Sequence, residues 1–159
     1  MTNPTQFREV MGHFATGVAV VTGSTRDGDA FGFTANSVAS VSLRPLLVQV
    51  GVSRSSASLP LLLEAGHFAL SFLGAEDAAL ARRFSRSARR TRFEGLDLQA
   101  GATGAPVVGG AVAWVDCSVW KTVEAGDHVV VFGAVEACGV GSGGDPLVFH
   151  RGRFGTFSS

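Results

Sequence analysis

The chain has 159 residues, 46% of them hydrophobic and only 16% charged, with a formal net charge of zero. That is long and apolar enough for one folded domain over residues 1–159 and too apolar for a disordered chain. The zero charge gives nucleic acid or an anionic membrane nothing to attract, and no stretch approaches the ~20 apolar residues of a membrane span. Sparse charge also predicts that part of the surface is covered by a second copy.

In chain order, Asn3 and Pro4 cap a first helix running to about His13, with Phe7, Val10, Met11 and Phe14 at helical spacing. Val18–Thr22 and Ala30–Ala35 read as strands around an Asp27-Gly28 turn, and Leu46–Val52 as a buried strand. A helix opens at Ser56 or Ser58 and stops at Gly66; His67–Leu73 is a strand, and Glu76–Arg86 a helix with acids first and arginines last, as its dipole favours. Arg89–Gly110 reads as loop. Two long strands, Val112–Val123 and His128–Cys138, meet at Gly126-Asp127, and Pro146–His150 and Arg153–Phe157 close the chain around Arg151-Gly152. Strands dominate, so the expected fold is mainly β: a small barrel with two or three added helices.

The chemistry-bearing residues concentrate in Gly32–Ser58. Thr34, Asn36, Ser37, Ser40 and Ser42 precede the apolar strand, and Ser53, Ser55, Ser56 and Ser58 follow it, with Arg44 and Arg54 the nearby charges. Neutral donors on both sides of a strand suit a ligand that takes many uncharged hydrogen bonds, with backbone N–H groups around a phosphate. The arginines from Arg82 to Arg92 are the densest charge cluster; a solvated helix end and a phosphate contact are its two readings. Gly139, Gly141 and Gly144 match GxGxxG, but Asp145-Pro146 and a strand follow where a dinucleotide fold needs a helix. No nucleophile–histidine–acid arrangement stands out, and the scattered histidines have no metal-ligand spacing, so no metal site is expected. Cys117 and Cys138 are expected to be buried, reduced thiols, and Trp114 and Trp120, in phase on one strand, to be core or dimer packing.

FATGVAVVTG (Phe14–Gly23), GFTANSVASVSLRP (Gly32–Pro45), SRSSAS (Ser53–Ser58), RRF (Arg82–Phe84), GDHVVVFGAV (Gly126–Val135) and FHRGRF (Phe149–Phe154) stand in an order and spacing that resemble the flavin reductase family. The resemblance covers nearly the whole chain. It implies an FMN-binding split β-barrel, a homodimer, and an NAD(P)H:flavin oxidoreductase, with NADH the favoured donor, that reduces FAD or FMN and passes the reduced flavin to a partner flavin-dependent monooxygenase. It places Thr34, Ala35, Asn36, Ser37 and Ser40 with Val52, Ser53, Arg54, Ser55 and Ser56 around the flavin, and Arg83, Phe84 and Arg89 along its tail.

The resemblance also sets His128 at the nicotinamide side as the catalytic candidate, orienting the carboxamide or holding negative charge on the reduced ring. A polar strand-edge residue is the competing reading of that histidine. His150, Arg151, Gly152 and Arg153 complete the nicotinamide side, with the two arginines as phosphate contacts. An aromatic commonly stands at the position of His150 in the family, and a charged hairpin turn is the alternative reading of that segment. Two other functions of the same fold stay open: a non-catalytic flavin- or haem-binding carrier or sensor, and an oxidase that retains its flavin. The N-terminal residues show no signal-peptide pattern, so a cytoplasmic location is expected.

Overall fold

The computed structural model describes residues 2–141 and 143–157. Its elements in order are α1 (Pro4–Gly12), β1 (Thr16–Gly17), β2 (Ala19–Ser24), β3 (Ala30–Ala35), β4 (Val38–Leu43), β5 (Leu46–Ser53), α2 (Ser58–Ala65), β6 (His67–Phe72), α3 (Ala78–Arg86), β7 (Leu98–Ala100), β8 (Pro106–Val108), β9 (Ala113–Ala125), β10 (His128–Val140), β11 (Leu147–His150) and β12 (Arg153–Thr156). Asn3 Oδ1 accepts the Gln6 N–H at 2.9 Å to cap α1, and Gly66, at φ 70°, terminates α2. Both ends follow the sequence expectation.

Seven strands form one antiparallel sheet in the order β3-β2-β6-β9-β10-β5-β4. The two edge strands, β3 and β4, are consecutive in the chain, with only Asn36 and Ser37 between them. Laid flat, the six inter-strand gaps would separate those edges by about 29 Å. A link of that length reaches only about 11 Å. The sheet therefore curls until its edges face each other, and since no ladder joins them the barrel is split there. The curl wraps a core of Val21, Phe31, Val50, Phe68, Leu70 and Val131, all with no exposure. A second cluster, around Val20, Leu73, Phe84 and Leu147, packs α3 and the terminal strands against the sheet's outside.

Four expectations change. β4 was not anticipated: its burial does not alternate, and pairing with β5 makes it a strand. The Arg89–Gly110 segment holds the short hairpin β7–β8, braced by Ser71 Oγ accepting the Val108 N–H and buried Asp116 accepting both Thr103 N–H and its hydroxyl. Trp120 is 55% exposed in the single chain, because a bulge opposite Phe132/Gly133 leaves it outside the pairing, so of core and dimer packing only the core reading falls; Trp114 is half-buried against Ala69 and Val107. Cys138 is exposed on the outward face of β10 with Glu136 and Val140, so strand alternation overrides the burial habit of cysteine. Cys117 is buried as expected, and desolvation first, then the charges of Asp116 and Glu136, push its thiol up to about 12. It stays protonated and inert as a nucleophile.

Candidate functional site

The split in the barrel is where the hydroxyl-rich segment lands. Thr34, at the end of β3, donates its hydroxyl to the Ala81 carbonyl of α3 at 2.6 Å, tying the helix to the sheet edge. Ser37 donates its hydroxyl to Gly51 O at 2.8 Å, and Gly51 returns its N–H to Ser37 O at 3.1 Å. A Cβ on Gly51 would come within 3.3 Å of the Ser37 side chain, so glycine lets β5 approach the split. Asn36 is exposed between them, and its side chain makes no hydrogen bond to the described residues.

The other wall comes from the β5–α2 turn and the start of β10. The antiparallel register sets His128 directly across from Ser53 and Val129 across from Val52, and the Arg54 N–H donates to Asp127 O at 2.9 Å. This pairing brings residues 75 positions apart in the chain (128 minus 53) to one rim. Beside Ser53, the turn is closed by Ser56 N–H to Ser53 O at 3.0 Å. The α2 N-terminus follows at Ala57, which provides no side-chain cap. His128 is half-exposed, and its Nδ1 meets Asp127 Oδ1 at 2.8 Å. That hydrogen bond, with the imidazole's charge, holds the exposed Asp127 carboxyl below the usual carboxylate range. With Nδ1–H donated to the carboxylate, Nε2 is the nitrogen left for a ligand.

These walls enclose a cavity of about 410 Å³. Of the expected residues, Thr34, Ala35, Asn36, Ser37, Val52 and Ser53 line it, together with Ser56, Phe84 and His128. Thr34, Asn36 and Ser85 also line an adjoining cavity of about 610 Å³, bounded by Arg82, Arg86, Gly152 and Arg153. There the Arg82 guanidinium lies 5.2 Å from the Phe154 ring centre, so the last turn of α3 and the β11–β12 hairpin share one basic wall.

Other expected residues stand elsewhere. Arg83 turns to the loop after α3, donating from Nε and Nη2 to Thr91 O at 3.0 and 2.6 Å and from Nη2 to Glu94 O at 2.5 Å. Arg89 is exposed on a short 3-10 turn, and Arg54 sits 3.6 Å from Glu124. Ser40 lies on β4 beyond the lining, and the Ser55 hydroxyl pairs with Ser53 Oγ at 2.9 Å. His150 and Arg151 line a third cavity of about 680 Å³, which shares Arg153 and Phe154 with the basic wall. Arg151 takes a positive φ of 50° at the hairpin tip, and its N–H donates to Gly12 O at 2.9 Å, docking the hairpin on α1.

Sequence reasoning passed over Phe33 and Ser85, which line the central or adjoining cavity, and named Ser58 and Arg92 only within the hydroxyl and arginine clusters, the latter with a phosphate contact as one of its two readings. Arg92 donates Nε–H to Ser87 O at 2.8 Å and an Nη1–H to Gly32 O, and burial pulls its guanidinium down from its ordinary range. Phe93 stacks edge-on against Phe84 at 5.0 Å and so carries Arg92 to the split, but an arginine before a phenylalanine is no signal in itself, since Arg83-Phe84 has the same form.

The donor set fits a flavin. Neutral hydroxyl and amide groups face apolar walls at Phe33, Val52 and Phe84, with guanidinium groups at the open side. The flavin reductase like domain matches residues 11–158. SmoA of Agrobacterium fabrum, an FMN reductase (NADH), is 42% identical over 156 residues, covering 98% of this chain and 87% of its own. HsaB of Mycobacterium tuberculosis, the reductase subunit of a flavin-dependent monooxygenase, is 34% identical over 154 residues, covering 96% of this chain and 81% of its own. The solved structure of SgcE6 from Streptomyces globisporus, an NADH:FAD oxidoreductase in complex with NAD and FAD fragments, superposes with a TM-score of 0.91 at 34% identity, over 99% of this chain and 96% of that one. With a split barrel, a flavin-sized cavity at the split and a family match spanning nearly all of its residues, the chain belongs to the flavin reductase family.

Proposed function

We propose that flavin is held at the split between β3 and β4, and that the chain works there as an NAD(P)H-dependent flavin reductase, with NADH the favoured donor. It reduces FAD or FMN by hydride transfer and supplies the reduced flavin to a partner monooxygenase. One observation carries the placement: the curl of the sheet gathers Thr34–Ser37, Val52, Ser53, Ser56 and His128 around one cavity.

Flavin supplies the hydride acceptor when bound, so the protein's work is positioning and charge control. Thr34, Asn36 and Ser37 on one wall and Ser53 and Ser56 on the other offer neutral donors and acceptors that orient the ring without fixing its charge state. Val52 and Phe84 keep water from one side. Asp127 fixes the His128 tautomer, and His128 Nε2 orients the nicotinamide carboxamide or meets negative charge as it develops. Arg153, with Arg82 and Arg86, forms the basic wall for a dinucleotide tail, and His150 and Arg151 extend it past the hairpin. Mixed anaerobically with FMN or FAD, the protein should accelerate flavin bleaching by NADH, and by NADPH more weakly. Rates equal to the uncatalysed reaction with both donors and both flavins would refute the reductase reading.

The chain is further proposed to act as a homodimer. Val41, Leu43 and Leu46 are exposed on and beside edge strand β4, and Phe7, Val10, Met11 and Phe14 are exposed on and after α1. An apolar groove of about 800 Å³ is lined by Phe7, Met11 and Phe14 on one side and Val38 and Ala39 of β4 on the other and includes Asn36, Ser37 and Gly51 of the flavin wall, so a second copy seated on it would complete the site. Obligate dimers commonly bury ~2,000 Å² or more. Analytical ultracentrifugation should show a dimer at micromolar concentration; a monomer across the whole range would remove both the dimer and its shared site. Residues 1–159 are taken as one such domain. No helix among the described residues is long and apolar enough to cross a membrane, and the need for reduced nicotinamide favours the cytoplasm as the working compartment.

A further inference from the structure

Ser24 closes β2 and His67 opens β6, the neighbouring strand, 43 residues further along the chain. Ser24 Oγ lies 3.0 Å from His67 Nε2, and His67 Nδ1 lies 3.0 Å from the carbonyl oxygen of Ala65. A carbonyl only accepts, so Nδ1 carries the ring proton, and in the neutral imidazole Nε2 is left as a bare acceptor. The Ser24 hydroxyl has one proton and two acceptors in reach, Nε2 at 3.0 Å and Gly104 O at 3.3 Å. Nε2 is both the nearer and the stronger base. The serine proton is therefore held by the imidazole.

A nucleophile, a base within hydrogen-bond reach and a third group that orients the base are the parts of an activated serine. Here the third group is a backbone oxygen. Ala65 ends α2, and Gly66, at φ 70°, turns the chain so that His67 folds back onto the Ala65 carbonyl. That carbonyl lies at the negative end of the helix, beside the charge the ring gains when Nε2 takes a proton. Both side chains are half-buried, and neither lines any of the cavities described above. The flanking glycines leave room, since a Cβ on Gly66 or Gly104 would meet nothing within 4 Å. We propose that Ser24 is a second reactive centre, a nucleophilic serine that takes the acyl group of a carboxylic ester with a good leaving group, with His67 as general base. Ser24 Oγ bonds to the acyl carbon as the ester C–O bond breaks, and the hydroxyl proton passes to Nε2 and on to the departing oxygen. Nothing is oxidised or reduced, so the step needs neither flavin nor nicotinamide.

The test treats the full chain with diisopropyl fluorophosphate, which forms a stable ester with an activated hydroxyl as its P–F bond breaks and the proton leaves with the fluoride. The sequence has no tyrosine to compete. Peptide mapping by mass spectrometry should place the label on Ser24. Ser24→Ala should remove it. His67→Gln keeps a hydrogen-bonding group but cannot take up a proton, and it should slow labelling roughly 100-fold. The labelled wild type should release p-nitrophenolate from p-nitrophenyl acetate more slowly than the unlabelled protein. Flavin reduction by NADH should be unchanged in both variants.

A pair that only braces the Gly104 loop would leave the serine inert. An unlabelled wild type, or a labelling rate that His67→Gln does not change, overturns the proposal. So does a labelled protein that still releases p-nitrophenolate at the original rate. If His67→Gln does not fold, the wild-type map decides. Ser85 is the internal reference, because its exposed hydroxyl donates to the Arg82 carbonyl instead of an imidazole. Labelling of Ser24 no faster than that of Ser85 overturns the assignment.

Discussion

Phe84→Ala is expected to lower the unfolding free energy by about 4 kcal/mol, in the middle of the range for a buried aromatic. For a chain of this length the melting temperature should fall by roughly 10 °C. Phe84 is fully buried on α3, among Val18, Val20, Leu73, Val108 and Leu147, with Phe93 edge-on at 5.0 Å. The surroundings have little freedom to fill the space. Thr34 pins α3 to the sheet through the Ala81 carbonyl, and Gly32 of β3 already sits so near that a Cβ there would lie 3.0 Å from the Phe84 ring. Phe84 also lines the central cavity, so flavin affinity should fall along with stability. Urea unfolding of the two proteins side by side measures the effect. A cost under about 1 kcal/mol would show that α3 relaxes onto the cluster, contrary to the rigid attachment described here.

His128→Ala should slow single-turnover flavin reduction about a hundredfold, the usual loss when one donor to developing charge is removed. Stability should move by less than about 1 kcal/mol, because the side chain is half-exposed at a strand start. Affinity for oxidised flavin should barely change, since the polar groups at Thr34, Asn36, Ser37 and Ser53 remain. Asp127→Asn should slow the reaction less, by loosening the orientation of the imidazole while keeping it in place. The Asp127 carboxyl is held below its ordinary range by its hydrogen bond to His128. What the pair contributes is therefore present above the ordinary carboxylate pKa and lost as pH falls through the lowered one. Stopped-flow reduction and thermal melting on the same variants separate the roles. An unchanged rate in a folded His128→Ala protein would remove His128 from the chemistry and leave it a strand-edge residue.

The sequence by itself determined the local elements and the family. Alternation and turn residues located β2, β3, β5, β6 and the β9–β10 hairpin, because each is encoded within its own span, and the helix signals placed α1 and α2. Near α3 the reading was partly right: the span expected to begin at Glu76 opens as a 3-10 turn at Ala75–Asp77, and α3 itself starts at Ala78. Ordered motifs identified the flavin reductase family, since they are read along the chain without knowing how it folds.

Tertiary structure decided what depends on pairing across distance. β4 exists because β5 supplies its partner, and Trp120 is outside because a bulge removes it from the β9–β10 ladder. The curl that brings β3 and β4 face to face is a property of the whole sheet, and it alone turns two hydroxyl-rich segments and one histidine into a cavity. The arginines show the limit most sharply. Arg83 and Arg92 belong to one charge run, yet Arg83 is spent on the carbonyls of Thr91 and Glu94 while Arg92 reaches the split. Nothing in the run distinguishes them. The choice is made by which carbonyl each guanidinium can reach once Phe84 and Phe93 have stacked, and that geometry arises only when α3 has docked on the sheet.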